Sequence, residues 1–435
     1  MRRTRTAWLA VLVGLAALGG ASVPSGTVFA AAGDGTGAAS ASDPPESYPA
    51  VEGPRSDDLF LAASRGRTCM VRMNRTVTCW GDYGLRHRLS AAGLADVVAL
   101  SSGDEPFGGR GPLHACALHA AGTVSCWGWG SFGQLGQGDV KTHYMPVSVQ
   151  GLDDAVAIAA GEGFTCAAHR DGGVSCWGSN HLGELGHGAE VTEIHLPTRV
   201  PGVADAVAIS AGNDATCAIS SNGGVTCWGW GVVGGPPQSV HGLRNVTAIS
   251  IGESLTCAVV SEGDVYCWST YVSGPAPRKM PGLEDVVDVA MGFGTGCAVH
   301  QDGGVSCWGT NNVGQVGDGT RKMRTQPVRL EGITDAIDVS LGRQTTEVTA
   351  HSCVLHRDGG VSCWGGNEYG QLGDGTGEQR PYPQRAETFP VFSAGESPEL
   401  DRGLLLAWIE QAVGQHGAEF PWHWAAWDYT RHQSE

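Results

Sequence analysis

The sequence predicts an all-β fold, a seven-bladed β-propeller of four-stranded blades followed by a short C-terminal helix. Three observations predict it. The fourteen cysteines fall into seven pairs, and the two cysteines of every pair are ten residues apart. A tryptophan directly follows the second cysteine of each pair. The repeating units span 40 to 56 residues and contain short, apolar, strand-like runs, which is typical of propeller blades.

Each cysteine pair is predicted to bridge the two strands of one β-hairpin. The sixth residue after the first cysteine is a glycine, except in the first unit, which has Arg75 there. A glycine at this place suits a three-residue loop closed by a left-handed residue, so we expect a different or strained turn at Arg75. The loop places the paired cysteines opposite each other, within disulfide range. The predicted bridges are Cys69–Cys79, Cys116–Cys126, Cys166–Cys176, Cys217–Cys227, Cys257–Cys267, Cys297–Cys307 and Cys353–Cys363.

The N-terminus has the features of a secretory signal peptide. Arg2, Arg3 and Arg5 precede an apolar run of thirteen residues, and Ala30 begins a run of alanines that fits a cleavage site. A retained membrane anchor is the alternative. Export agrees with the paired cysteines, whereas the C-x2-C pairs of zinc sites do not occur. The predicted organisation is a signal peptide (1–32), a disordered linker (33–47), the propeller (48–395), and a helix with an aromatic tail (396–435).

The charge of the chain argues against nucleic acid as a partner. The formal net charge is −17, and loss of the three arginines of the signal peptide would make it about −20. An acidic surface repels phosphate backbones, and the sequence contains no local basic patch. We therefore expect no nucleic-acid partner, and we expect no transmembrane segment once the signal peptide is removed.

Strand alternation assigns the tryptophans a structural role. Cys166 and Cys176 share one face of their hairpin, so Trp177 points to the other face, opposite the small Thr165. We expect each tryptophan to pack on the next blade. The alternative is that the tryptophans form stacking platforms for a ligand.

The repeat resembles a known family. NNVGQVGDGT (311–320), NEYGQLGDGT (367–376) and the DGGVxCWG pattern of the hairpins are similar to the regulator of chromosome condensation repeat. The resemblance covers about 49–386 and extends to the secreted bacterial branch that includes the propeller-type β-lactamase inhibitory protein. It implies the propeller fold but no single function, because one fold can serve unrelated partners.

The two ends of the chain lie beyond the regular repeats. YPAVEG (48–53) resembles the outer strand of a unit, and we expect it to complete the last blade; an unpaired arm is the alternative. Residues 397–417 begin with Ser-Pro and carry one apolar stripe, which predicts a helix. We expect this helix to dock on the propeller, the alternatives being a partner or a second copy of the chain.

Two enlarged loops predict a recognition site. Residues 103–116 and 342–353 contain insertions in the loop between the first and second strands of their units. In a closed ring these insertions flank the first blade, whose own loop 81–90 is short, and they would form the walls of a notch. Loops on a rigid scaffold often carry function. The predicted partner-facing residues are Tyr83, Arg86, Phe107, Arg110, Arg343 and Glu347; the alternative is that the insertions have no role.

The sequence predicts no catalytic residue, metal or cofactor. Asp318 and Asp374 lie in GDGT turns, which could bind Ca²⁺, but the absence of a D-x-D-x-D run favours a structural role. His114 and His351 lie at the ends of the two insertions and are weaker candidates for function. Four further histidines precede the hairpin turns, with no acidic residue placed beside them in a way that indicates a catalytic set: His119, His169, His300 and His356.

These features together predict an exported, non-enzymatic, protein-binding propeller. We expect a monomer that is secreted or lies in the periplasm or at the cell surface, with a protein or a cell-envelope component as partner. An inhibitor of a secreted or periplasmic enzyme, such as a β-lactamase, is the alternative. Guanine-nucleotide exchange, which the chromatin-bound relatives suggest, is disfavoured because disulfides do not persist in their compartment. A glycosidase is disfavoured because no paired carboxylates can be placed across a site.

Overall fold

Seven antiparallel sheets follow one another along the chain and form the predicted seven-bladed propeller, whose blades we number 1 to 7 in chain order. The computed structural model describes residues 60–81, 91, 93–103, 113–188, 190–229, 236–253, 255–270, 276–292, 294–342 and 350–386. All of these residues lie within the unit Met1–Phe389. The predicted signal peptide, linker, N-terminal strand and C-terminal helix lie outside the described residues.

Each blade is a meander in which neighbouring strands follow one another in the sequence. The first strands are β1 (Leu61–Ser64), β4 (Val97–Ser102), β8 (Ala155–Ala160), β12 (Ala206–Ala211), β16 (Val246–Ile251), β20 (Val286–Met291) and β24 (Ala336–Leu341). The second strands are β2 (Arg67–Val71), β5 (Ala115–His119), β9 (Phe164–His169), β13 (Ala215–Ser220), β17 (Leu255–Val260), β21 (Thr295–His300) and β25 (His351–His356).

The third and fourth strands complete the blades. The third strands are β3 (Val77–Gly81), β6 (Val124–Gly128), β10 (Val174–Ser179), β14 (Val225–Gly229), β18 (Val265–Ser269), β22 (Val305–Gly309) and β26 (Val361–Gly365). The fourth strands are β7 (His143–Ser148), β11 (Glu193–Arg199), β15 (Gln238–Ser239), β19 (Arg278–Lys279), β23 (Arg324–Arg329) and β27 (Arg380–Arg385). Within the described residues, blade 1 has three strands and the other blades have four. Prolines occur in β7, β11, β23 and β27, where an outer edge tolerates a missing N–H group.

All seven predicted disulfides are confirmed. In blade 3, Cys166 lies directly opposite Cys176 and their Cα atoms are 4.1 Å apart. The other six bridges have Cα–Cα distances of 4.0 to 4.1 Å, and no cysteine is left free. Each hairpin is therefore closed by a covalent bridge between its own two strands.

The turn of blade 1 has the same form as the others despite its arginine. The main-chain N–H of Arg75 donates to the carbonyl oxygen of Arg72 at 2.7 Å, as that of Gly172 donates to His169 at 2.9 Å in blade 3. Arg75 has a φ of 59° and Gly172 one of 80°. The turn is thus not different in kind. Its strain comes from a left-handed backbone at a residue with a Cβ atom.

The tryptophans pack between blades, but on the preceding blade rather than on the next one. Trp177 of blade 3 is fully buried against Cys116 and Cys126 of blade 2. The disulfide of blade 3 is covered in turn by Trp228 of blade 4. Alternation places cysteine and tryptophan on opposite faces of a hairpin, but it does not determine which neighbour each face meets, and the predicted direction was wrong.

Serine side chains of one blade accept hydrogen bonds from main-chain N–H groups at the unpaired edge of the first strand of the following blade. The N–H of Ala160 donates to Ser101 Oγ at 2.6 Å. The same contact closes the ring, because Ala63 N–H of blade 1 donates to Ser340 Oγ of blade 7 at 2.9 Å. The outer strand of blade 7 is β27, which follows β26 in the same sheet. Residues 48–53, which were predicted to complete this blade, lie outside the described residues, so their part in it stays a prediction.

No helix in the part of the chain described here has the length and hydropathy needed to cross a membrane.

Candidate functional site

The loops between first and second strands all leave the same face of the ring, which we call the loop face. In blade 3, the N–H of Gly161 donates to the carbonyl oxygen of Phe164 at 2.8 Å and closes a loop of two residues. The same bond joins Gly103 to His114 at 3.0 Å in blade 2, and Gly342 to His351 at 2.8 Å in blade 7. Each insertion therefore begins and ends at the same hydrogen-bonded residue pair that closes the short loop of blade 3. We call this pair the base of the insertion.

The bases of the two insertions flank blade 1, as predicted. The N–H of Leu61 in blade 1 donates to Asp338 Oδ2 of blade 7 at 3.0 Å, and the N–H of Val97 in blade 2 donates to the carbonyl oxygen of Arg75 in blade 1 at 3.0 Å. The six predicted partner-facing residues lie outside the described residues and stay a prediction: Tyr83, Arg86, Phe107, Arg110, Arg343 and Glu347.

The two histidines at the ends of the insertions are buried anchors between blades. His114 Nε2 lies 3.1 Å from Thr165 Oγ1 of blade 3, and His351 Nε2 lies 2.9 Å from Thr68 Oγ1 of blade 1. The Thr165 hydroxyl donates to the carbonyl oxygen of Gln134, so it accepts its bond from the imidazole N–H. Both histidines are 1% exposed. They connect the base of each insertion to the following blade.

Long third–fourth loops cover the blade boundaries on this face, as the repeat pattern predicts. Gln134 Oε1 accepts the N–H of Phe132 at 3.0 Å, and Gln315 and Gln371 brace their loops in the same way. Blade 3 has Glu184 instead. Its carboxylate accepts the N–H of Leu182 at 2.7 Å and the hydroxyl of Ser179 at 3.0 Å. Among the four long third–fourth loops, that of blade 3 alone thus has a buried carboxylate where the other three have a neutral amide.

This charge acts on the neighbouring blade. Asp214 lies in the first–second loop of blade 4 and is half-buried. Burial, followed by the negative charges of Glu184 and Glu253, raises the pKa of Asp214 to about 6. The boundary between blades 3 and 4 therefore takes up a proton in mildly acidic solution, which the sequence did not indicate.

Three aromatic rings in edge-to-face contact lie on the loop face: Trp129, Phe132 and His181. We call this cluster the aromatic corner. The ring centroids of Trp129 and Phe132 are 5.3 Å apart, with the planes at 74°. Those of Phe132 and His181 are 5.9 Å apart, with the planes at 88°. The main-chain N–H of Trp129 donates to the carbonyl oxygen of Leu113, at the end of the blade 2 insertion, at 3.4 Å. Sequence reasoning missed this cluster, although Trp129 stands where blades 3, 6 and 7 have smaller residues.

Two of the hairpin histidines have an acidic partner in the structure. His169 Nδ1 lies 2.6 Å from Asp154 Oδ1, and its Nε2 lies 2.8 Å from Ser175 Oγ. In blade 7, His356 lies in the same way between Asp335 and Ser362, at 2.6 and 2.8 Å. The acidic residues come from the connection before the first strand, which is distant in sequence from the histidine.

These sets have the order of a serine–histidine–aspartate triad but the burial of a structural link. Ser175 is 3% exposed and Ser362 is 7% exposed. In blades 2 and 6 the corresponding histidines, His119 and His300, bond to a serine and to a main-chain carbonyl oxygen instead of a carboxylate. A nucleophile must reach its substrate. The arrangement therefore ties the hairpin to the preceding connection.

The GDGT aspartates are fully engaged by protein donors. Asp374 accepts bonds from the Asn367 amide at 2.9 Å, from Thr376 N–H and hydroxyl at 3.0 and 2.8 Å, and from Arg380 Nε at 2.8 Å. Burial would raise the pKa of Asp374, but the bonds from Arg380 and Thr376 outweigh it and lower the pKa. The guanidinium stands where a cation would bind. The described residues contain no group of three or more His, Cys, Asp or Glu side chains that could hold a metal ion.

Sequence comparison identifies the repeat. The Regulator of chromosome condensation (RCC1) repeat family matches residues 121–168, 171–219, 302–348 and 358–394. A second profile of the same repeat matches 155–184, 206–234 and 286–315. No curated protein sequence matches the chain significantly.

Solved structures with the same fold support the identification. Prp20p from Saccharomyces cerevisiae is 19% identical, with a TM-score of 0.57, over 76% of this chain and 87% of that chain. Yeast RCC1 (Prp20), solved bound to Kap60, is 18% identical, with a TM-score of 0.59, over 83% and 92%. Human WBSCR16 is 19% identical, with a TM-score of 0.56, over 72% and 84%. The chain, with its seven blades and its repeat signatures, belongs to the regulator of chromosome condensation repeat family.

Proposed function

We propose that the protein is an exported, non-enzymatic binding protein that recognises a protein partner through its loop face. The observation that carries this proposal is the position of the departures from the repeat. The two insertion bases at Gly103 and Gly342 and the aromatic corner all lie on that face. A rigid ring with altered loops on one side is a common arrangement for recognition.

Two further observations support the proposal. Among the proteins of similar structure, Prp20p binds Gsp1p and histones, and yeast RCC1 binds Kap60. Seven disulfides suit an oxidising compartment outside the cytosol, which agrees with the predicted signal peptide. We propose the secreted, periplasmic or cell-surface location on these grounds.

Photo-crosslinking tests the proposal. A photoreactive amino acid is placed at Phe107, in the blade 2 insertion, and in a control at Ser221, in an exposed hairpin turn on the opposite face. Each purified protein is irradiated with the exported proteins of the source organism. We expect one product that forms from position 107 only, that excess unlabelled wild type suppresses, and that unlabelled protein with the Glu-Gly of the blade 3 loop in place of residues 104–113 does not suppress. A product that the replaced protein suppresses as well as the wild type does, or that forms equally from Ser221, would reject recognition by the loop face.

The captured partner also tests the inhibitor form of the proposal. If it is an enzyme such as a β-lactamase, its activity is measured with and without the propeller. We expect inhibition that the loop replacement abolishes; full activity at saturating propeller would leave the protein a binder without inhibitory function.

A further inference from the structure

The tryptophan of the aromatic corner is not required by the repeat. Trp129 follows the Cys-Trp-Gly of blade 2, and the residues at the same position in blades 3, 6 and 7 are Ser179, Thr310 and Gly366. These blades fold with the same strand order and the same loop brace. Blade 7 has a glycine at this position, so the fold does not require the large indole of Trp129 there. The indole is therefore free to contact a binding partner.

The three rings present their faces in different directions. Successive rings are close to perpendicular, at 74° and 88°, so their edges and faces alternate. Trp129 and Phe132 are half-buried and His181 is exposed. In such an array the aromatic faces that are not used within the cluster carry partial negative charge. The corner can thus receive a group that prefers a π face.

The charges around the aromatic corner determine which kind of group binds against these rings. The two loops that build the corner, residues 129–141 and 179–191, contain three acidic residues, Asp139, Glu184 and Glu190, against one lysine, Lys141, which pairs with Asp139 at 3.2 Å. The whole chain has a net charge of −17. A π face in acidic surroundings attracts a cation, and the planar guanidinium of arginine stacks on indole better than an ammonium group does.

We infer that the aromatic corner seats an arginine side chain of the protein partner, with its guanidinium against the indole of Trp129. This inference rests on the proposed function and names the chemistry of the contact. Trp129 lies directly beside the end of the blade 2 insertion, because its N–H meets the carbonyl oxygen of Leu113. The aromatic corner and the base of the blade 2 insertion therefore lie side by side on the loop face.

A peptide titration tests the inference without the partner. The full, oxidised protein is labelled with 5-fluorotryptophan, and the fluorine resonance of Trp129 is assigned as the one missing in Trp129→Thr, the residue that blade 6 has at this position. The probes are acetyl-Gly-Arg-Gly-amide and the same peptide with citrulline, which has the shape of arginine without its charge. We expect the Trp129 resonance to shift saturably with the arginine peptide and about two- to five-fold weaker binding of the citrulline peptide. No shift, or equal binding of both peptides, would overturn the inference.

A second arm separates this inference from the proposed function. Trp129→Thr and the 104–113 replacement are each tested for binding to the captured partner, after melting curves have confirmed that both variants are folded. The inference predicts at least a ten-fold loss for Trp129→Thr and a smaller loss for Trp129→Phe, which keeps an aromatic face. A loss with the loop replacement but none with Trp129→Thr would refute the arginine seat alone. No loss with either would refute recognition by the loop face.

Discussion

The indole nitrogen of Trp177 donates a hydrogen bond of 2.9 Å to the main-chain carbonyl oxygen of Gln134, across the boundary between blades 2 and 3. Trp364 makes the same bond to Gln315 at 2.9 Å, and Trp80 makes it to Gln371 at 3.0 Å. The last of these bonds joins blade 1 to blade 7. In blades 1, 3 and 7 the repeating tryptophan therefore connects the hairpin to the loop of the blade before it.

Removal of this tryptophan should cost much more where it is fully buried. Trp177→Ala deletes a side chain with 0% exposure, and we expect unfolding free energy to fall by about 3–5 kcal/mol. Trp268→Ala removes a half-buried tryptophan at the equivalent place in blade 5 and should cost clearly less. Denaturant unfolding of the oxidised proteins measures both values. Equal losses would contradict the assignment of the tryptophans to blade packing.

Relief of the strained turn in blade 1 should stabilise the protein. Arg75 has a left-handed φ of 59°, where the other hairpins have glycine. Arg75→Gly removes a Cβ atom from this conformation, and we expect a gain of about 1 kcal/mol in unfolding free energy. The matched control is Gly172→Ala, whose new Cβ would lie 2.6 Å from the main-chain nitrogen of Asp205 and should destabilise. A loss of stability in Arg75→Gly would show that the arginine side chain contributes more than the strain removes.

The carboxyl of Asp214 should make stability fall as the pH rises. Its pKa in the folded protein is about 6, whereas the ordinary value is 3.8. Between these values the unfolded chain has lost the proton and the folded protein keeps it, so folding is favoured at low pH and loses this contribution as the pH rises through about 6. Asp214→Asn should therefore raise unfolding free energy by about 1–2 kcal/mol at pH 7.5 and have little effect at pH 4. A benefit that is independent of pH would contradict the assigned titration.

The contribution of Glu184 to the raised pKa of Asp214 can be tested by substitution of Glu184. Glu184→Gln introduces the residue that blades 2, 6 and 7 have, so the loop brace should survive. Loss of the negative charge should lower the pKa of Asp214 towards its ordinary value, because one of the charges that raise it is removed. A ¹³C titration of the Asp214 carboxyl measures the change. An unchanged pKa would mean that burial and Glu253 raise it without a contribution from Glu184.

Each disulfide should join the two cysteines of one hairpin, and each bridge should stabilise the fold. Digestion without reduction should release seven peptides or peptide pairs, each joined by a bridge between cysteines ten residues apart. Cys166→Ala together with Cys176→Ala removes one short-range bridge, and we expect a loss of about 2–3 kcal/mol. Mass mapping and denaturant unfolding provide the two measurements. Bridges between different blades would contradict the hairpin pairing.

The regular part of the fold could be predicted because it repeats. Cys166 and Cys176 with their turn glycine define the hairpin and its register, and the same signal seven times defines the number of blades. The direction in which Trp177 packs could not be predicted, because alternation along a strand distinguishes two faces without assigning them to neighbours. The sequence pattern alone could not identify the outer strand of the last blade, because 48–53 resembles an outer strand and β27 follows β26 in the sheet.

The site was harder to predict because its contacts join distant segments. The acidic partners of His169 and His356 are supplied by the connections before the first strands of their blades, and no spacing rule links them. Phe132 and His181 meet across a blade boundary. Trp129 stands where blades 3, 6 and 7 have Ser179, Thr310 and Gly366, but blade 4 has Trp230 at the same position, so a comparison of the repeats does not single Trp129 out.

Recognition through the loop face is the central claim, and the affinity of the captured partner tests it most directly. Three oxidised proteins are compared by calorimetry: the wild type, the variant with Glu-Gly in place of residues 104–113, and Ser221→Arg, a control on the opposite face. We predict that the loop replacement weakens binding at least a hundred-fold and that Ser221→Arg leaves it unchanged. Unchanged affinity after the loop replacement, or a loss with Ser221→Arg, would contradict the claim.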